Sequence, residues 1–214
     1  MVADFFIFLF LSAVILLTSG YTPTLIAGEL ILLSVPLIFL LLKRVNIRSY
    51  VRIDLKPKFI LIGLGCGLLL LFLNVIVSGL LTYIFGISQA VEQSNQLIKS
   101  LSVSPLGLAA VATSLALAGI CEEFVFRGFL QNSIFRRFKN SPKYNKYGFA
   151  IALVISALVF GLFHFDPQFV YTIAAFISGL TLGYIYHRWN YVTSATAHAS
   201  MNIIVLALLL LAIQ

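Results

Sequence analysis

Long apolar stretches, broken by short polar segments rich in lysine and arginine, set the pattern of this chain. A helix needs roughly 17 to 25 mostly apolar residues to cross a bilayer. Windows of that length predict spans near residues 5–20, 24–42, 59–86, 105–133, 148–165, 169–187 and 193–213. The expected fold class is therefore all-α, a polytopic transmembrane helical bundle of about seven spans. The first span is the shortest. Phe5 to Ser19 has the length of a signal-peptide core, but Met1 to Asp4 holds no Lys or Arg and no A-x-A pattern follows, so it reads as a span. Pro36 is the only proline well inside a span. Outside the basic segments the longest polar stretch is Ser88 to Ser104, with an amphipathic turn expected around Val91 to Leu101. No internal repeat or low-complexity linker divides the chain, and function is expected within the bundle.

Composition agrees with that reading. Apolar residues make up 61% of the chain and charged residues 10%, a balance foreign to soluble domains of this size. The net charge of +7 changes the picture only through its distribution. Lys43, Arg44, Arg48, Arg52, Lys56 and Lys58 fill one connecting segment, and Arg136, Arg137, Lys139, Lys143 and Lys146 fill another. Two spans separate them, so they share a side, and Arg188 joins them after two more. The positive-inside bias makes that side cytoplasmic, which puts the N-terminus inside and Gln214 outside. Trp189, Tyr184, Tyr186 and Tyr191 gather near Arg188 as an interfacial belt does. A basic excess placed this way serves a lipid bilayer and argues against nucleic acid as a partner. Cys66 and Cys121 lie in apolar spans without metal-like spacing and read as small packing residues.

Candidate chemistry sits in the fourth span. Between Leu106 and Phe135 the only charges are Glu122, Glu123 and Arg127. Each costs a few kcal/mol in the middle of a bilayer, so their presence points to function. Glu123 and Arg127 are i, i+4 neighbours and able to pair, while Glu122 projects about 100° away and stays available. Taken alone, the three also suit a structural ion network. Two further spans supply partners. His164 ends the fifth, and His198 with Asn202 lies at i, i+4 on the seventh. Glu122 precedes Pro142 by 20 residues and His164 follows it by 22, so a hairpin turning there brings both to one depth. His198 joins them if the fourth helix projects about two turns into the cytoplasm. His187 reads as an interfacial residue, and Gly179-x-x-x-Gly183 as a helix-packing face.

Glu122-Glu123-Phe-Val-Phe-Arg127 resembles an E-E-x-x-x-R motif, Phe160 to His164 an F-x-x-x-H motif, and His198 to Asn202 an H-x-x-x-N motif. In this order, on successive spans, they resemble the signatures of the CPBP intramembrane proteases, which include the type II CAAX prenyl endopeptidases and proteins of bacteriocin processing and self-immunity. The resemblance covers about residues 105 to 205. It implies an N-terminal part, 1–104, of about three spans and a protease-like helical core at 105–214. It also implies an intramembrane endopeptidase acting on membrane-associated peptides or proteins, with a lipidated segment or leader peptide as possible features of the substrate. Glu122 and His164 then hold and deprotonate water, His198 and Asn202 form an oxyanion hole, and Glu123, Arg127 and Phe160 support them. Family members have been called metalloproteases, and Glu122, His164 and His198 are the ligands zinc would take. The preferred expectation is no metal cofactor, because no H-E-x-x-H is present and Asn202 suits an oxyanion better than a zinc shell. The active site is expected toward the cytoplasmic side of the cell membrane. Two other classes stay open: a non-catalytic immunity or scaffold protein, and a proton-coupled transporter, which usually carries repeats or broken helices.

Overall fold

The computed structural model describes residues 25–212, all of whose regular structure is helical. Apolar composition supplies the helices and short capped breaks separate them. Helix α1 (Leu25–Leu42) contains Pro36 and leads through a short helix α2 (Ile47–Val51) to α3 (Pro57–Phe85). The polar stretch after it forms α4 (Gln89–Leu101), N-capped by the Ser88 side chain on Val91 N–H. Ser104 caps α5 (Pro105–Glu123) by accepting from Gly107 N–H at 3.0 Å, with Pro105 at the first helical position, where its missing N–H costs nothing. Then α6 (Asn132–Lys139), α7 (Gly148–Phe163), α8 (Val170–Arg188) and α9 (Tyr191–Leu211) complete the bundle. Five stretches are long and apolar enough to cross a membrane: α3, the continuous helix Pro105–Lys139, the helix ending at Phe163, α8 and α9; α1 is a shorter apolar helix. The expected span at 5–20 lies outside the described residues. The other six expected spans all fall on helices.

One local departure interrupts the fourth span. Phe124–Gln131 is π-helical, and it begins at the residue after Glu123. The helix continues through it to Lys139, past the expected end near 133. Hydrogen bonds reaching one residue further widen the turn, and such segments are rare and concentrate at functional sites. Here the wide turn is filled on every side. Phe124, Val125, Phe126, Phe129 and Leu130 are all buried and pack with Leu40, Val51, Phe160 and Val192 into the main core. The carbonyls of Ile120 and Phe126 accept hydroxyl hydrogen bonds from Tyr191 (2.9 Å) and Ser156 (2.7 Å).

Small residues let α9 sit between its neighbours. Gly63 and Gly67 of α3 face Thr196 and Ser200 of α9 so closely that an added Cβ would come within 3 Å of them. On the other side, a Cβ on Gly119 of α5 would lie 2.4 Å from the backbone nitrogen of Ala199. Helix α7 runs beside α8, where Gly161 and Gly179 allow the same close approach. Helix α1 covers α5 and the π segment, so the part of the chain before residue 105 packs directly on the candidate core.

Candidate active site

Close contact at Gly119 decides where the polar residues meet. Gly119 lies one turn before Glu123, and Ala199 adjoins His198, so backbone contact there presents the two side chains to each other. His198 Nδ1 stands 3.1 Å from Glu123 Oε1, and the Arg127 guanidinium reaches the same oxygen at 2.8 Å. Glu123 and Arg127 are wholly buried and His198 is 6% exposed. Burial of this kind is tolerable only when charges are paired and hydrogen-bonded. A second nitrogen of Arg127 donates to Gly179 O at 3.3 Å, and the guanidinium lies 4.2 Å from the centroid of the Phe160 ring. One arginine thereby joins the π segment to α8 and α7.

Glu122 faces a different way, as helical geometry requires of neighbouring positions. Its Oε1 lies 3.8 Å from His164 Nε2, and its Oε2 lies 3.9 Å from His198 Nε2. These gaps exceed hydrogen-bond length. Glu122 thus approaches both imidazoles without bonding directly to either. The side chain is 6% exposed, and Oε2 has no hydrogen-bond partner among the described residues.

The imidazoles are oriented from behind. His164 Nδ1 is 2.9 Å from the carbonyl oxygen of Phe160, so this nitrogen carries the proton and Nε2 turns toward Glu122. The Phe160 ring lies 4.5 Å from the His164 ring and 6.0 Å from the His198 ring, centroid to centroid, and separates their back faces. His164 ends α7, and the turn beyond it is clamped. Asp166 Oδ1 accepts the Thr172 N–H at 3.0 Å, while Thr172 Oγ1 accepts the Asp166 N–H at 2.9 Å. Burial pushes the Asp166 carboxyl up, but hydrogen bonds from Thr172, the Ser88 hydroxyl and the Tyr171 backbone together outweigh it and hold the group below the usual carboxylate range.

Glu122, His164 and His198 thus converge, with Glu123, Arg127 and Phe160 behind them. Asn202 lies one turn further along α9 from His198, and its Nδ2 donates to Leu115 O at 3.1 Å. His187 packs against Phe149, with ring centroids 3.8 Å apart, well away from this group. Gln131 and Glu29 are polar residues of the bundle that motif reading does not reach. Gln131 continues the Glu123, Arg127 series by four residues and donates to Gly183 O at 2.9 Å. Glu29, on α1, has its Oε2 buried without a hydrogen-bond partner among the described residues. Its signal was available, since it is an acid inside a predicted span, but no spacing links it to a motif.

Among the described residues no three His, Cys, Asp or Glu side chains group closely enough to hold one ion.

Comparison of the chain with curated proteins and with solved structures finds no match. A protein-family model does match, the one described as type II CAAX prenyl endopeptidase Rce1-like, over residues 104–204. That segment runs from the cap of α5 to just beyond Asn202 and contains every residue of the converging group; over it the chain is similar to the type II CAAX prenyl endopeptidase Rce1-like family.

Proposed function

We propose that this protein is an intramembrane endopeptidase in which Glu122 activates water against a peptide bond of a membrane-associated substrate. The observation that carries the reading is the convergence of the two Glu122 oxygens on His164 Nε2 and His198 Nε2, at 3.8 and 3.9 Å, with the Nδ1 of each ring engaged by Phe160 O or Glu123 Oε1. A water held by Glu122 and His164 Nε2 loses a proton to Glu122 as its oxygen bonds to the scissile carbonyl carbon. The carbonyl π pair moves onto oxygen, and His198 Nε2, when the ring carries its second proton, donates to that oxyanion. The Asn202 amide, one turn along the same face, gives one N–H to Leu115 O and supplies the other as a second donor. Glu122 then passes its proton to the departing amine as the C–N bond breaks. Donors already in place act on charge only as it develops, so they favour the transition state over the substrate. Glu123 and Arg127 hold the His198 ring in register. No metal is needed for these steps, and 105–214 serves as the catalytic core.

Purified protein in liposomes, incubated with membrane-fraction proteins and analysed for new C-termini, tests the proposal. Wild type is expected to create such ends. Glu122→Gln, which keeps volume and removes the base, is expected to lose all cleavage, and His198→Ala to lose about 10²- to 10³-fold in rate. Chelation is expected to leave the wild type active. Cleavage by Glu122→Gln at the wild-type rate would dispose of this role for Glu122. Solute flux that needs Glu122 would favour a transporter. About one zinc per chain, lost in His164→Ala and His198→Ala, would replace the metal-free chemistry with a zinc site.

A further inference from the structure

At its basic end the reacting helix borders a cavity of about 590 Å³ that the proposed chemistry does not use. Arg52, Arg136 and Lys139 give its wall three positive charges, and no acid among the described residues lines it. The described salt bridges of lysine and arginine are Lys56 with Asp54 and Arg127 with Glu123, so none of the three has an acidic partner among the described residues. Arg136 is held in place without being neutralised. Its Nε donates to Asn132 Oδ1 at 3.4 Å, the Asn132 amide donates in turn to Tyr50 O, and the guanidinium lies 4.5 Å from the centroid of the Tyr50 ring. No described hydrogen bond occupies its two terminal nitrogens. Arg52 serves the fold as well, donating to Tyr186 O at 3.1 Å and Trp189 O at 2.6 Å where α8 ends. It does so from a φ of 63°, a left-handed backbone that residues with a side chain rarely adopt. Its charge is thereby fixed beside the cavity.

We infer that this cavity binds the phosphodiester headgroup of an anionic lipid from the leaflet at the basic end of the bundle. A guanidinium with free terminal nitrogens offers a phosphate two parallel donors, and the Lys139 ammonium adds a point charge one turn away. Soluble phosphate shares that chemistry, and position decides between the two. The wall climbs the helix from buried Gln131 to exposed Lys139, about 12 Å at 1.5 Å per residue, beside the end of α8 where Arg188 and Trp189 mark the bilayer boundary. Basic pockets between spans at that level suit anionic headgroups. Phe135 and Tyr186 line the same cavity and give an apolar surface to the glycerol end of a lipid, which a free phosphate does not need. A headgroup held there would tie the overhanging end of the reacting helix to α2 and α8. The inference does not depend on the peptidase reading.

Whole protein in non-ionic detergent, titrated with phosphatidylglycerol, phosphatidylcholine or inorganic phosphate and read by native mass spectrometry, tests the site. Wild type is expected to retain one phosphatidylglycerol per chain under conditions that strip phosphatidylcholine. Arg136→Gln with Lys139→Gln should weaken that retention by at least about tenfold, the loss expected on removing two cations at a membrane surface. Lys143→Gln with Lys146→Gln takes the same charge from the adjoining loop, outside the cavity, and should bind as wild type does. Equal weakening in the two double variants would reduce the effect to net charge and overturn the site. Undiminished phosphatidylglycerol in Arg136→Gln with Lys139→Gln, or equal retention of phosphatidylcholine by wild type, would overturn it too. Inorganic phosphate that displaces the lipid would assign the cavity to a soluble anion and remove the headgroup. Both substituted side chains are exposed, so folding should survive. Should loss of the Arg136 contact with Tyr50 upset it, Lys139→Glu alone, which sets a negative charge at the cavity, carries the same expectation. Cleavage does not enter the measurement, so a protein that cleaves nothing would leave the result standing.

Discussion

Arg127 has to neutralise one carboxylate without silencing the one beside it. The geometry solves this by direction, since Glu123 turns to Arg127 and His198 while Glu122 turns to the two Nε2 atoms. Coupling between Glu123 and Arg127 follows. Arg127→Met leaves a buried carboxylate with only His198 against it and should destabilise by about 3–5 kcal/mol, whereas Glu123→Gln with Arg127→Met should cost much less than the two single changes together. Thermal unfolding of the four proteins in detergent measures the coupling, and additive losses would show that the pair does not act as a unit. At this scale the sequence was informative about which residues meet. Spacing from Pro142 matched the depth of Glu122 and His164, and i, i+4 geometry paired Glu123 with Arg127. The contact of His198 with Glu123 was not legible, because it depends on a helix approach set by Gly119 rather than on any motif.

Among the elements, the π segment was the least legible feature. Phe-Val-Phe-Arg-Gly-Phe-Leu-Gln fits an α-helix equally well by composition. Its wider turn is selected by surroundings: Tyr191 and Ser156 hydroxyls meet carbonyls, and Gly128 admits Val51, whose Cγ1 would lie 2.5 Å from an added Cβ. Helix approach at Gly119 allows a sharper test. Gly119→Ala should push α5 from α9 and cut cleavage by about 10²-fold, the effect expected of a 1 Å misplacement, with a stability loss of about 1–3 kcal/mol. Gly65→Ala, with nothing within 4 Å of the added atom, is the control expected to behave as wild type. Equal activity in the two variants would show that the contact does not set the site. The clamp after His164 adds a pH dependence. Because Asp166 is held below the ordinary range of about 3.9, its ionised form stabilises the turn at higher pH, and that contribution disappears as pH falls through the depressed value. The melting temperature of Asp166→Asn should therefore lie below wild type near neutrality and converge with it in strong acid. A constant difference across that range would remove Asp166 ionisation from the account.

For the described residues, hydropathy read the position and order of the apolar helices well, because a bilayer demands length and apolarity from each span. It could not show that the fourth helix runs for 35 residues, from Pro105 to Lys139. At about 1.5 Å per residue that is roughly 52 Å, longer than the hydrocarbon core, so its end bearing Arg136, Arg137 and Lys139 extends beyond the bilayer. If this end is cytoplasmic, as the basic segments require, single cysteines at Asn140 and Ser94, in a chain lacking Cys66 and Cys121, should react with impermeant reagent from inside and outside respectively. The opposite pattern would move the site to the outer leaflet. The Gly179 and Gly183 pair carries a broader consequence. Their carbonyls take Arg127 and Gln131, residues with the same four-residue interval, so two helices are indexed against each other like a key cut with two notches. A slide of α8 by one turn would move Arg127 onto the wrong notch and strand Gln131. Alanine at position 183 would not restore the fit, since its methyl would fall 2.5 Å from Gln131 Oε1. A pair of glycines that looks like generic membrane packing is therefore also an address: a side chain at 183 would crowd Gln131 and Leu153, and one at 179 would crowd Ala157 and Phe160, the ring beneath the Arg127 guanidinium.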